Sequence, residues 1–385
     1  MALTKEDIPM LHRRTMYEEI TAPTKRPCRW LLVSVLWCAV PGLFLLVFLL
    51  TRGNQGLMNF LVNRVTTPVK HLLSRLCALL PFALAEVIWA VGVIAVVVFL
   101  VRTVWLLIRR KERLKRLLRR VLAALAAALV VYSCYTAMWG INYYADSFSQ
   151  RTGLTARGCT AEELTQLAAA FADKCNELSD QMDRDGDGVT QVDAAEVLQQ
   201  STDCYQVVFD EFPALEQPLF TPKAMVFSRI ISYMGFTGFY FPMTAESLVN
   251  VDQPDCLIAA TALHELSHQC NVAEEDACNF LAIIAGLHCD DVTFQYSSAV
   301  MGYIHLSNAL YSADKSAWQA VRATLNEQVL TDLTDNNAYW AQFESPVQEA
   351  SEQIYTGFLE SYGQTEGMKS YGQCVDLLVA YYFDT

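Results

Sequence analysis

Apolar residues fill the first third of the chain in long unbroken runs and then give way to shorter, periodic patches. Three runs stand out: LLVSVLWCAVPGLFLLVFLL (31–50), PFALAEVIWAVGVIAVVVFLV (81–101) and VLAALAAALVVYSCYTAMWG (121–140). Each matches the ~20 residues that a helix needs to cross a bilayer. Three such runs so close together predict three membrane-spanning helices rather than three core helices. The first reads as a retained helix: its basic leader and its apolar core are both too long for a signal peptide, and no A-x-A-like cleavage site follows.

Beyond residue 140 the period shifts to that of amphipathic helices. TAEELTQLAAAFADKCNELSDQM (160–182) has helical apolar spacing, and Thr160 with Glu163 forms a capping box at its start. Residues 224–252 are rich in aromatic and β-branched residues punctuated by Gly, Thr and Pro, which predicts short strands and turns, with a strand at 246–251. A helix is predicted over CLIAATALHELSHQC (256–270), and the region after 290 reads as amphipathic helices that pack round it. There are no internal repeats, no nucleotide loop and no nucleophile elbow.

Charge sorts the chain into two environments. The net charge is −13, yet residues 1–139 carry 19 Lys+Arg against 6 Asp+Glu, and residues 140–385 carry 9 against 35. The acidic part argues against nucleic-acid binding. Lys5, Arg13, Arg14, Lys25, Arg26 and Arg29 precede the first run, and RRKERLKRLLRR (109–120) separates the second from the third. Both segments are expected on the cytoplasmic side, so everything after Tyr143 is expected outside. The partner of 109–120 is then anionic lipid. The expected organisation is a cytoplasmic tail (1–30), a three-helix membrane region (31–140) with its basic loop at 109–120, and an extracytoplasmic domain (141–385). Eight cysteines fall in that domain, which permits disulfides without fixing their pairing. Glu86, near the outer end of the second run, either pairs with the outer domain or faces a polar cavity.

Two stretches carry candidate chemistry. In DRDGDGVTQVD (183–193), Asp183, Asp185, Asp187 and Gly188 match the first half of a calcium loop, but Ala194 stands where its last carboxylate belongs. A structural Ca²⁺ site and a solvated turn fit equally well. In HELSH, His264 and His268 share one helix face, so both imidazoles can hold one Zn²⁺, and Glu265 beside them can serve as general base and acid toward a zinc-activated water. A third ligand is sought in Glu274, Glu275 and Asp276. On an unbroken helix Glu275 would lie about 10 Å beyond His268. The helix must therefore break, and Asn271 tolerates the left-handed conformation that ends helices. Asn279, one turn after Glu275, is placed to orient a ligand. Tyr371, Tyr303, His305 and His288 are weaker candidates for an oxyanion donor.

PFALAEVIW, WGINYY (139–144), SYMGFTGFYFP (232–242), AESLVNV, HELSHQCNVAEEDACNFLA and GMKSYGQCVDLLVAYY (367–382) together resemble an uncharacterised bacterial, membrane-anchored HExxH zincin-like family, the domain of unknown function 3810. That family usually has Gly where Asn271 stands, and a second glutamate where this chain has Ala277. The resemblance implies a zincin-like peptidase, with the retained Glu275 as third ligand and Glu274 as runner-up. The fold expected is mainly α: three N-terminal transmembrane helices, then a zincin-like, predominantly helical extracytoplasmic domain with a few short strands. The activity expected is that of a multi-pass cell-membrane zinc metallopeptidase cleaving peptide or protein substrates at the envelope. The alternatives are a non-catalytic sensor or scaffold with a structural metal, which Cys270 as a fourth ligand would favour, and a zinc hydrolase of a non-peptide amide.

Overall fold

The computed structural model describes residues 29–109, 113–362 and 371–384. It is mainly helical, with three short strands. Among the described residues, two helices are long and apolar enough to cross a membrane, Leu84–Arg109 and Arg113–Met138. The expectation of three spans is therefore corrected. The first apolar run lies in the helix Arg29–Thr51 and is not one of these two. The expected basic loop at 109–120 is helical from Arg113 onward, because its Leu, Lys and Arg residues all favour helix.

The chain forms two compact units. One contains the described residues up to Phe48 together with Val101–Ser133; the other contains Leu49–Leu100 and Cys134 onward. In the first, the Ser133 hydroxyl donates to the Pro41 carbonyl at 3.3 Å.

The second unit is built round the helix Ile258–Gln269. All of its residues but His264 are buried, so it is packed on every side. The helices Ala194–Cys204, Glu275–His288 and Val292–Ala313 pack on it, and so does a three-stranded sheet. Leu263, Leu266, Phe280, Ile283, Phe294 and Leu306 join one continuous core. The sheet order is β1 (Lys223–Ala224), β3 (Glu246–Val249), β2 (Gly238–Phe241). β1 runs parallel to β3, and β2 antiparallel to it with Phe239 opposite Leu248. The predicted strand at 246–251 is thus the central one, and β2 is an edge.

The predicted capping box forms. Thr160 accepts from the Glu163 N–H and Glu163 reaches back to the Thr160 N–H, opening the helix Ala161–Ser179. A disulfide joins Cys204 to Cys289. Cys159, Cys175, Cys256, Cys270, Cys278 and Cys374 are free thiols.

Residues 55–78 form a helix that the apolar runs do not announce: Gln55–Leu61, a π turn at Val62–Thr66, then Thr67–Ala78. Its buried residues include Thr66, Thr67, Lys70 and Ser74. Ser74 donates to the Ala245 carbonyl at 2.8 Å, and Lys70 donates to Asn271. The start of Leu84–Arg109 is joined to the sheet by a reciprocal pair of carboxylates. Glu246 of β3 accepts the N–H groups of Leu84 and Ala85 at 3.1 and 2.9 Å, where a helix has no internal partners for them. Glu86 accepts those of Val226 and Phe227 at 3.1 and 2.8 Å. Of the two roles expected for Glu86, this is the pairing one.

Candidate metal centre

The site begins with the end of a helix. Asn271 has φ +60°. Its N–H bonds the His268 carbonyl at 3.0 Å, and the Val272 N–H bonds that of Ser267 at 3.3 Å. These two bonds are the Schellman ending, which needs a residue that tolerates the left-handed region. The chain therefore turns at Asn271, where a break was expected, and Glu275 opens the next helix. The Asn271 side chain is also held: its Nδ2 donates to Thr67 Oγ1 at 3.0 Å.

That turn brings Glu275 back to the histidines. Its Oε2 lies 3.2 Å from His264 Nε2 and 3.6 Å from His268 Nε2. Each histidine is fixed from behind. His268 Nδ1 meets the Val272 carbonyl at 2.8 Å and must donate to it, because a carbonyl only accepts. His264 Nδ1 meets Asn279 Oδ1 at 2.8 Å. With Nδ1 engaged on both rings, both Nε2 atoms face Glu275. The other Glu275 oxygen, Oε1, accepts the Tyr355 hydroxyl at 2.6 Å. Neighbouring ligands of a tetrahedral Zn²⁺ with bonds of ~2.0–2.1 Å stand about 3.3–3.4 Å apart. The three donor atoms are of the types that zinc takes, and the two distances from Glu275 are of that order. The Glu275 side chain is 31% exposed, so solvent reaches it.

The charges follow the same geometry. Burial works against the Glu275 carboxylate, but His268 and His264 outweigh it and hold its carboxyl well below the usual range. Glu265 is 2% exposed, and its Oε2 is a buried oxygen without a hydrogen-bond partner among the described residues. Burial pushes its carboxyl up to about 7, against the pull of His264 and His268. It faces the edge strand so closely that a Cβ at Gly238 would stand 2.6 Å from Glu265 Oε1. Glycine there leaves room for the carboxylate.

A second set of donors overlaps the first. Ligand atoms of His264, His268 and Cys278 all lie within 4.8 Å of one another. Cys278 Sγ is 3.4 Å from His268 Nδ1 and 3.5 Å from the Val272 carbonyl. It therefore sits on the ring edge already bonded to Val272, whereas Glu275 faces the Nε2 atom of both rings. Burial also pushes the Cys278 thiol up to about 12.

Most of the remaining sequence candidates fall elsewhere, whereas His305 lies near enough to His264 to feel its charge. Glu274 accepts the Phe148 N–H at 3.1 Å and the Ala273 N–H at 3.2 Å, and belongs to the turn. His288 lies at the far end of its helix, about 20 Å from Glu275, with Nδ1 on the Ile284 carbonyl. Tyr303 is buried in the core. His305 is pushed down to about 4, by burial first and then by His264. The Tyr371 side chain lies outside the described residues. Asp183, Asp185 and Asp187 do not form a group of converging ligand atoms. Asp185 Oδ1 instead accepts the Asp187 and Val189 N–H groups at 2.9 and 3.0 Å, with Gly188 at φ +80°. Tyr355, Cys278 and Gly238 are the site residues that sequence reasoning missed. Tyr355 carries no local signal, since it sits in an ordinary amphipathic stretch 80 positions from its partner.

No curated protein and no solved structure matches the chain. A family model matches residues 62–379, from the π turn through both candidate spans and all the candidate metal-site residues. The chain belongs to the family described as Protein of unknown function (DUF3810).

Proposed function

We propose that this chain is a membrane-anchored, zinc-dependent hydrolase of the HExxH type that cleaves peptide bonds outside the cytoplasmic membrane. The observation that carries the reading is the meeting of His264 Nε2, His268 Nε2 and Glu275 Oε2 beside a buried Glu265 oxygen that nothing else engages. Zinc held by three such ligands supplies Lewis acidity and an acidified water. The chain's own residues do the rest. Asn279 and the Val272 carbonyl hold the two imidazoles in one tautomer, and Tyr355 holds Glu275 by its outer oxygen. Glu265 takes a proton and returns it to the leaving amine. The edge strand β2 runs beside Glu265, and its open side offers backbone groups to an extended peptide. The two apolar helices, the basic residues between them, and the Cys204–Cys289 disulfide support an anchored, outward-facing domain.

A second reading rests on Cys278. Were its thiol a fourth donor, the metal would be closed off and would serve only to staple two helices. Metal content of the purified full chain separates the two. About one zinc per chain is expected, lost in His264→Ala and Glu275→Ala but kept in Glu274→Ala and Cys278→Ala. Loss in Cys278→Ala would favour the staple. A correctly folded native chain that takes up no zinc ends both. Glu265→Gln should keep the zinc and lose peptide hydrolysis.

A further inference from the structure

The helix Gln55–Ala78 is inside out. Its buried side carries Thr67, Lys70 and Ser74, whose polar atoms bond the domain, beside Met58, Val62, Thr66 and Cys77. Its outer side carries Phe60, Val65, Val69, Leu72, Leu76 and Leu79, each between 42% and 79% exposed. A surface helix of a soluble protein shows the reverse. The π turn at Val62–Thr66 preserves the arrangement. It inserts about one extra residue, which brings Phe60 into line with the stripe that follows and Met58 into line with the buried face.

What covers this stripe is indicated by its neighbours. Five residues after Leu79 the chain enters the apolar helix Leu84–Arg109. Glu86, in the first turn of that helix, holds the backbone of Val226 and Phe227, and Val226, Phe227 and Ile230 are also exposed. Two apolar surfaces therefore flank the point where the candidate span begins. The stretch 52–85 contains no Asp or Glu, and Arg64 and Arg75 are exposed on it. Such a composition suits anionic headgroups.

We propose that the helix Gln55–Ala78 is an interfacial helix. It lies in the headgroup region of the bilayer with the Phe60–Leu79 stripe against the acyl chains, and Val226, Phe227 and Ile230 dip in beside it. Its inner face meanwhile bonds Asn271, the residue that ends the HELSH helix, so the candidate metal centre is held at the lipid surface. The inference rests on the membrane-anchored part of the reading above and not on its zinc.

The test uses the full chain in phosphatidylcholine–phosphatidylglycerol vesicles doped with a lipid that carries a diazirine near the carbonyl end of its acyl chain. After irradiation, adducts are mapped by peptide mass spectrometry. Adducts are expected on the 60–79 stripe and on 226–230 as well as on Leu84–Leu100. In Leu72→Asn/Leu76→Asn, those at Phe60 and Val69 should be lost while those on Leu84–Leu100 remain. Adducts on Leu84–Leu100 with none on the stripe would overturn the proposal, as would a stripe cross-linked to a second copy of the chain. Absence of adducts from Leu84–Leu100 itself would remove the membrane anchor, and with it this inference, while leaving zinc content as a separate question.

Discussion

Tyr355 is the residue on which the proposed third ligand depends most directly. Its hydroxyl occupies Glu275 Oε1, so that Oε2 alone turns toward the histidines. Removing that hydroxyl frees the carboxylate to rotate. Tyr355→Phe is expected to lower zinc affinity by about 10–100-fold with the fold intact, as loss of such supporting partners generally does; competition with a chelator would measure it, and unchanged affinity would strip Tyr355 of this role. Lys70 is a second residue with a readable consequence. It is 2% exposed, and burial first, then Arg151, pushes its amine down to about 7. In the unfolded chain the amine titrates near ~10.4. Between those values the unfolded state binds the extra proton, so stability rises with pH across that window. Below about 7 the buried charge is a cost of up to about 4–5 kcal/mol, and it is relieved as pH climbs. The melting temperature of the detergent-solubilised chain should therefore rise, relative to Lys70→Met, between pH 7 and 10. Parallel curves for the two proteins would mean that Lys70 is not held this way.

At the scale of elements, the sequence was most legible where local chemistry decides. The Thr160–Glu163 box, the strand at Glu246–Val249 and the turn at Asn271 are all written in adjacent residues. The helix 55–78 was not legible. It is too polar for a span, and its apolar stripe is broken in phase by a π turn that no short-range signal marks. The joint between the sheet and the helix Leu84–Arg109 was hidden for another reason. Glu246 and the backbone it caps are about 160 positions apart, and only the folded chain brings them together. Glu246 also takes Lys223 Nζ at 2.8 Å, and Lys223 donates further to the Cys77 and Phe82 carbonyls. Truncation to Glu246→Ala leaves two helix N–H groups and a largely buried ammonium without their acceptor. We expect a loss of about 1–3 kcal/mol, read as a lower unfolding midpoint. Glu246→Gln should recover part of it, since the amide oxygen can still accept. Equal stability of all three proteins would show that this joint is not held by the carboxylate.

For the whole molecule, the division into a basic, apolar first third and an acidic remainder was plain in the charge count, but the number of spans was not. Composition made 31–50 as good a span as the other two, yet the helix Arg29–Thr51 is not among the two span-length apolar helices of the described residues. The side of the membrane was inferred from Lys and Arg alone, and the disulfide gives an independent handle on it. Cys204 and Cys289 close a loop of 85 residues between two core helices. A bridge of that span contributes roughly 2–5 kcal/mol where it forms, and it persists only in an oxidising compartment. If the domain faces outward, cells quenched with acid and alkylated before lysis should yield Cys204 and Cys289 unmodified, and both should react only after reduction. Cys159, which is partly exposed and free, should alkylate without reduction and serves as the internal control. Full alkylation of Cys204 and Cys289 in unreduced samples would place them in a reducing compartment. The basic segment between the two spans would then lie on the opposite side, against the rule that orients it, and the substrates would have to be sought inside the cell.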